Sequence, residues 1–444
     1  MQTNRKAIWG WALYDWANSA FATTVMAGFF PIYFKQYWSY GADVNLSTAR
    51  LGLGNSSASL IVALLAPILG AIADQGTLKK HFLTFFAFMG IFVTALFFFI
   101  PQGQWITAIF AYTLAILGWS GANSFYDAML PDVAAESKID FVSSLGYSMG
   151  YLGGGILFLL NVIMTLKPSL FGLADASQAV RWSFVSVAIW WGCFSLFTLR
   201  WVPGRSARHQ TDFKQLIGQS LKQLKATFRE ISRMKTILLF LCAYWCYIDG
   251  VDTIIKMAVD YGLSLGFAAN DLIVALLMTQ FVGFPAALFF GYLGQRWNVR
   301  KAIFIAIGGY MFITVYGIFM TTKTEFYLLA LFIGLVQGGI QALSRSYYTR
   351  LIPLDKTAEF FGFYNMLGKF AAIMGPALMA IVGIGTKYFL LPTAPSQQEL
   401  AAVTNLASRV GIASILLLFV VGAICLFFVD EEKGKEEANY LSTL

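Results

Sequence analysis

The sequence has few charged residues, few histidines and few cysteines. Asp, Glu, Lys and Arg make up only 12% of its 444 residues, whereas soluble domains carry about a quarter. The two histidines, His81 and His209, fall outside the apolar runs, so a metal-dependent site inside a membrane is not indicated. All four cysteines fall inside apolar runs, which is not the pattern of a disulfide framework. Cys242 and Cys246 are one helical turn apart, but without histidine partners they are better explained as small buried residues than as metal ligands.

Other familiar signals are missing too. There is no Walker A phosphate-binding loop, so ATP is not expected to act on the chain directly, and no cofactor or metal is predicted. Arg5 and Lys6 precede a long apolar stretch without a small-residue cleavage site, so we expect a retained signal anchor. The net charge is +8, but the basic residues lie between apolar runs rather than along one face, which argues against nucleic-acid binding.

What is present is apolar sequence. Hydrophobic residues make up 58% of the chain, and the mean hydropathy is +0.66. Because a membrane-spanning helix needs about 20 mostly apolar residues, twelve of them with short loops would use most of the chain. The runs predict an all-α integral membrane protein with helices over 7–34, 51–73, 82–100, 105–130, 144–166, 182–201, 236–261, 271–294, 302–321, 325–350, 359–385 and 405–429.

The basic residues predict the orientation of these helices. Of the 31 Lys and Arg residues, 22 fall on the side that carries both chain ends and 7 on the other, while Lys256 and Lys369 lie within spans. Because positive charge is retained on the cytoplasmic side, we expect both termini in the cytoplasm and the chain in the cell (inner) membrane.

Three motifs occur twice in the same order and predict two six-helix halves. The offsets are 221, 222 and 234 residues, the last being longer because a linker intervenes. The pairs are Gly70–Asp74 with Gly291–Gln295, Tyr126–Pro131 with Tyr348–Pro353, and Trp11/Asp15/Asn18 with Trp245/Asp249/Asp252. We predict halves over 1–201 and 236–444, joined by a basic amphipathic linker over 202–235 that lies on the inner leaflet, as a tether rather than a lipid sensor.

These motifs carry a family resemblance. The loop from Gly70 to Lys80 resembles the signature of the major facilitator superfamily, with Gln75 and Gln295 standing where Arg and Asp are usual. Trp11–Thr24, Gly338–Ser346 and Glu359–Lys369 resemble the autophagy-related vacuolar amino-acid effluxers and their bacterial relatives. The resemblance implies a monomeric twelve-helix transporter that exports or takes up an amino acid, with helices 1, 4, 7 and 10 lining its cavity.

Polar residues inside the spans are the candidates for substrate binding or ion coupling, because charge inside a membrane is costly. At 1.5 Å per residue, Asp15, Asp249 and Lys369 lie about 12, 18 and 14 Å from the cytoplasmic face, near mid-depth. Each acid is either a coupling group or a structural anchor, and Lys369 either meets an acid or binds a substrate carboxylate. The full set is Asp15, Asn18, Asn123, Tyr126, Asp249, Asp252, Lys256, Gln337, Gln341, Arg345, Asn365 and Lys369.

A second set lies at the cytoplasmic ends of the helices, where two halves must meet to close a cavity. There we expect ion pairs such as Asp127 with Arg345 to set which side is open. The predicted gating residues are Gly70, Asp74, Lys79, Lys80, Asp127, Gly291, Arg296 and Arg300.

The leading hypothesis is a secondary transporter of a small zwitterionic or anionic metabolite, driven by protons through Asp15 or Asp249, with Na⁺ as the alternative. Another organic anion, a sugar or a nucleoside are alternative substrates. A membrane-bound lipid-modifying enzyme would need an intramembrane histidine or metal cluster. A non-transporting receptor would need a large folded domain outside the membrane, and the sequence offers neither feature.

The charge asymmetry gives a first prediction. In intact cells, an impermeant thiol reagent should modify a cysteine placed at Ser39 but not one placed at Ser206, because only the former is predicted to lie outside. The opposite labelling pattern would overturn the topology.

Overall fold

The computed structural model describes residues 4–42, 44–76, 78–204, 222, 234–264, 268–391 and 396–442, and these form helices without strands. Within this part of the chain, twelve long helices are followed by a short one. They are α1 (Arg5–Ala20), α2 (Val44–Gly76), α3 (Lys79–Leu96), α4 (Trp105–Ala128), α5 (Ile139–Leu166), α6 (Ala176–Trp201), α7 (Lys235–Ser264), α8 (Ala269–Arg296), α9 (Val299–Phe319), α10 (Lys323–Leu351), α11 (Thr357–Leu390), α12 (Gln397–Phe427) and α13 (Glu431–Ser442).

The prediction of twelve membrane-spanning helices is confirmed. Among the described residues, eleven helices are long and apolar enough to cross a membrane, namely α2 to α12. The twelfth is α1, which continues without a break as a π-helix over Phe21–Phe29, an α-turn over Phe30–Tyr33 and a π-helix over Phe34–Trp38. π-Helical turns occur frequently at functional sites, and nothing in the sequence had indicated them.

Two pairs of helices form the main seams between α1–α6 and α7–α12. Helix α2 packs against α11, and α5 packs against α8, with α5 also touching α10. Glycines make both approaches possible: a Cβ atom on Gly362 would lie 2.6 Å from the Ala66 carbonyl oxygen, and one on Gly291 would lie 2.5 Å from Ser144 Cβ. Small residues of this kind let helices pack closely in membranes.

These seams lie towards the end of the bundle where α1 begins and α12 ends, which we call the terminal end. There Lys80 Nζ donates to the Val202 carbonyl oxygen at 2.8 Å, so α3 meets the end of α6. The division into halves at 201 and 236 stays a prediction. The predicted linker helix over 202–235 lies largely outside the described residues.

The structure changes the choice of labelling site for the topology test. Ser39 is only 1% exposed and its hydroxyl accepts a hydrogen bond from Arg50 at 3.4 Å, whereas Tyr40 is 71% exposed. A cysteine at position 40 therefore reports the same loop without a burial artefact.

Candidate functional site

A polar cavity of about 330 Å³ lies between the two sets of six helices. Its lining comes from α1, α4, α5, α7, α8, α10 and α11, including the π-helical part of α1 at Thr23. Of the predicted binding or coupling residues, those that line it are Asp15, Asn18, Asn123, Tyr126, Asp252, Gln337, Gln341, Arg345, Asn365 and Lys369. The side chain of Lys256 lies outside the described part of the chain.

Arg345 of α10 is the most heavily engaged charge in this cavity, at 2% exposure. Its Nη1 lies 2.8 Å from Asp127 Oδ1 on α4, and its Nη2 lies 3.6 Å from Asp15 Oδ2 on α1. A charge taken out of water is tolerated only when paired and hydrogen-bonded. One guanidinium thus faces two carboxylates, and both belong to the opposite six helices.

The remaining contacts of Arg345 come from the same side of the cavity. Its Nε donates to Ser143 Oγ at 2.9 Å and its Nη2 to the Ser143 carbonyl oxygen at 2.8 Å, both on α5. The guanidinium carbon lies 4.8 Å from the ring centre of Trp11 and 4.4 Å from that of Tyr147, within cation–π range. Sequence reasoning did not single out Ser143 or Tyr147.

Asp15 is both cavity-lining and structurally anchored. The Tyr126 hydroxyl donates to Asp15 Oδ2 at 2.8 Å, and Trp11 Nε1 donates to the Tyr126 carbonyl oxygen at 3.0 Å. A Cβ atom on Gly146 would lie 2.6 Å from Asp15 Oδ2, so only glycine allows α5 this close. The two alternatives for Asp15, anchor and functional group, are therefore compatible.

Asp249 occupies a different environment from Asp15 despite its repeat-equivalent position. It is fully buried, accepts the Gly375 backbone N–H at 2.9 and 3.0 Å, and accepts the Thr253 hydroxyl at 3.3 Å. These contacts tie α7 to α11, and Asp249 is not among the described residues that line the cavity. Its position favours the anchor alternative.

The walls of the cavity combine amides, aromatic rings and two further charges. Asn18 Nδ2 donates to Asn123 Oδ1 at 2.5 Å, and the rings of Tyr244 and Tyr364 stack at 4.0 Å. Lys369 Nζ lies 5.4 Å from the ring centre of Trp119. Additional lining residues that the sequence did not indicate are Ser19, Trp119, Ser120, Tyr151, Tyr244, Gln280 and Tyr364.

At the terminal end, Asp74 and Lys79 reach across the α2–α11 seam. Asp74 Oδ2 accepts the Glu359 backbone N–H at 2.8 Å, so a carboxylate sits at the start of α11 where the helix dipole favours negative charge. Lys79 Nζ lies 3.4 Å from Asp74 Oδ1 and also donates to Thr357 Oγ1. Asp74 and Lys79, two of the predicted gating residues, thus lie at the α2–α11 seam.

Three other predicted gating residues do not bridge the seams in the contacts described. Lys80 binds the end of α6, Arg296 donates to Tyr292 on its own helix, and Arg300 donates to the Val429 carbonyl oxygen beyond α12. Each contact stays on one side because these residues lie at helix starts and ends that face neighbours within their own six helices. Their gating role stays a prediction.

Arg350 also bridges the two sets of six helices, which nothing in the sequence had indicated. It pairs with Asp140 of α5 at 2.5 Å and with Glu431 of α13 at 3.3 Å. In the sequence it resembled any other positive charge at a cytoplasmic helix end, and Asp140 fell in a predicted loop.

Twelve helices around a central polar cavity are the architecture of the major facilitator fold. Solved structures agree on the fold: the proton:xylose symporter XylE has a TM-score of 0.63 with 13% identity, over 98% of this chain and 97% of that one. A bacterial homologue of the iron transporter ferroportin in an outward-facing state has a TM-score of 0.59 with 15% identity, over 96% and 99%.

Sequence comparisons specify the branch. The family model "Vacuole effluxer Atg22 like" matches residues 3–50 and 43–387. The uncharacterized MFS-type transporter YxiO of Bacillus subtilis is 38% identical over 98% of this chain and 97% of its own length. Autophagy-related protein 22 of Yarrowia lipolytica is 22% identical over 90% and 79%. The chain belongs to the Atg22-like family: it is a multi-pass membrane transporter of a small molecule, not an enzyme.

The contacts at the terminal end lead to a second prediction. Asp127→Asn and Asp74→Asn should each favour opening at this end, because Arg345 loses the nearer of its two carboxylate partners in the first variant and the start of α11 loses a charged partner in the second. A cysteine replacing Ser144, fully buried at the α5–α8 seam, should become accessible to a thiol reagent in both variants. We expect a smaller effect from Gln295→Ala, since Gln295 donates only a neutral 3.3 Å bond to the Ser137 carbonyl oxygen. Unchanged labelling in both acid variants would mean that closure depends on other contacts.

Proposed function

We propose that this protein moves a small zwitterionic metabolite, an amino acid, across the membrane by alternating access coupled to protons. The observation that carries the proposal is the inter-half cavity, closed at the terminal end by the Arg345 cluster. We place the terminal end in the cytoplasm and the protein in the cell membrane as a monomer, in line with the charge asymmetry.

The cavity chemistry supports a zwitterion. Asp252 of α7 and Lys369 of α11 line it with opposite charges, which suits an ammonium and a carboxylate on one small molecule. The amides of Gln280, Gln337 and Gln341 add donors and acceptors without adding charge. The family description as a vacuole effluxer agrees with transport of a metabolite.

The balance of charge around Arg345 supports proton coupling. With Asp15 and Asp127 both ionised, the cluster carries one excess negative charge in a buried site. A single proton would remove that excess, and buried excess charge is costly. Asp15 is the better carrier, since it lies 3.6 Å from the guanidinium whereas Asp127 lies at 2.8 Å.

The substrate proposal predicts a ligand-dependent rise in thermal stability. Purified protein is screened against amino acids, peptides, nucleosides and sugars. A ligand at 100 times its Kd should raise the free energy of unfolding by about 2.7 kcal/mol. Lys369→Met should abolish the shift given by a carboxylate-bearing ligand. Lys387→Met, at an exposed position on the same helix, is the matched control and should leave it intact. A shift from sugars or nucleosides alone would refute the amino-acid assignment.

The coupling proposal predicts a split between two transport modes. Asp15→Asn should impair gradient-driven accumulation more than substrate exchange, because exchange requires no net proton movement. Asp249→Asn is the comparison: its contacts with Gly375 and Thr253 predict a loss of stability that affects both modes together. Dependence of Asp15→Asn transport on Na⁺ rather than pH would identify the other ion. Equal loss of both modes with loss of binding would reassign Asp15 to substrate contact.

A further inference from the structure

The short C-terminal helix α13 is fastened to the second six helices. The Thr236 backbone N–H and hydroxyl donate to Glu437 at 3.3 and 3.2 Å, which fixes α13 to the start of α7. A Cβ atom on Gly434 would lie 2.5 Å from Leu351 Cδ2, so the helix lies directly on the end of α10. Because of these contacts, α13 should move with α7–α12 when the cavity opens at the terminal end.

Arg350, at the end of α10, has one carboxylate partner on each side of the seam. Asp140 of α5 is 1% exposed and belongs to the opposite six helices, while Glu431 of α13 belongs to the side of Arg350 itself. The guanidinium side chain is 17% exposed. Separation of the seam therefore removes Asp140 from Arg350 but leaves Glu431 in place.

Arg345 provides the contrast. Its ion-pair partners in the described structure, Asp127 and Asp15, both lie on the opposite six helices, so opening removes them together. Arg345 and Arg350 are five residues apart on α10. When the same seam opens, Arg345 loses both of its described carboxylate partners, whereas Arg350 keeps one.

We propose that Glu431 is a positioning residue that holds Arg350 in the state open at the terminal end. When the seam is closed, Arg350 has two carboxylates and can lose Glu431 with Asp140 still present. When the seam is open, Glu431 is the carboxylate that remains, so its loss destabilises the open state more than the closed one. An arginine kept paired throughout the cycle lowers the free-energy difference between the two states.

Lys435 acts in the same direction. It lies 3.2 Å from Glu431 on its own helix and 3.2 Å from Glu136, which precedes α5. Without Glu431, Glu136 loses its nearest competitor for the Lys435 ammonium, since Glu432 lies farther away at 3.8 Å. That change strengthens a contact across the seam and again favours closure.

The proposal concerns the direction in which each substitution shifts the equilibrium between the open and closed states. It depends on neither the substrate nor the proton. Both carboxylates touch Arg350, yet removing them should have opposite effects. Asp140→Asn should favour the open state, and Glu431→Gln should favour the closed state. A plain structural brace would respond in one direction, because loss of either partner would loosen the terminal end.

The test uses the full-length protein in nanodiscs with its four cysteines replaced by alanine and Ser144→Cys as reporter. We expect Glu431→Gln to slow thiol labelling about fivefold and Asp140→Asn to accelerate it about as much, a change that corresponds to roughly 1 kcal/mol. Glu431→Asp should restore the labelling rate in part. Lys433→Gln is the matched control on α13, since Lys433 is exposed and pairs with Asp430 of its own segment at 4.0 Å.

Two outcomes would overturn the proposal. Faster labelling in Glu431→Gln would make Glu431 a brace of the closed state, and unchanged labelling would make it irrelevant to the seam. A thermal unfolding curve for each variant shows whether α13 remains folded onto the bundle, and Thr236→Ala, which weakens that anchor without touching Arg350, should not slow labelling. Failure of the transport proposal would leave these labelling rates unaffected, since no ligand is present.

Discussion

The closed terminal end depends on burying the guanidinium of Arg345 across the interface between the two sets of six helices. Such a charge is tolerable only where its donors find acceptors, and here the acceptors are Asp127, Asp15 and Ser143. None of these partners moves with α10 in a rigid rearrangement of two halves. The cluster therefore holds the terminal end closed. If that end opens, the charges of the cluster must be hydrated by water instead.

The two seams solve the same problem by different chemistry, although the sequence repeats. At the α2–α11 seam, Asp74 accepts the backbone N–H at the start of α11. Its repeat-equivalent Gln295 instead donates to the Ser137 carbonyl oxygen, just before α5. A glutamine supplies no charge there, and the nearby Arg350–Asp140 pair provides it instead. The departure from the usual acid at 295 is thus accompanied by an ion pair between α10 and α5.

The sequence predicted the helices and most of the cavity because both follow from general costs. Apolar length defines the spans, and a polar side chain inside a span needs water or a partner. Asp15, Asn123 and Lys369 were predicted on that ground, and all three line the cavity. The same rule was insufficient for Asp249, because depth does not say which way a helix is rotated. That rotation is set by the close approach of Gly375, where the Asp249 carboxylate takes a backbone N–H.

Other features had no local signal at all. The π-helical stretch Phe21–Phe29 has the sequence FATTVMAGF, in which no residue pattern distinguishes it from an α-helix. Arg350 and Asp140 are charged residues at helix ends. The positive-inside rule already explains an arginine at the position of Arg350, and exposure in a loop would explain an acid at the position of Asp140. Their pairing requires the α5–α10 contact, which is 210 residues apart in sequence.

Glycine packing and ion pairing complement each other at these seams. Backbones that meet through Gly291 and Gly362 have no long side chains inserted between them, so the surfaces can part without unthreading. Contact between flat backbone surfaces of that kind contributes little to the free-energy difference between the closed and open states. In the proposed gating, the few charges at the terminal end select between the states, because Arg345 would exchange both of its carboxylate partners on opening and Arg350 only one. We infer that the free-energy difference between closed and open states depends chiefly on how Arg345 is paired or hydrated in the open state. In the proposed proton coupling, a proton on Asp15 would change that difference by altering the charge left on the opposite helices.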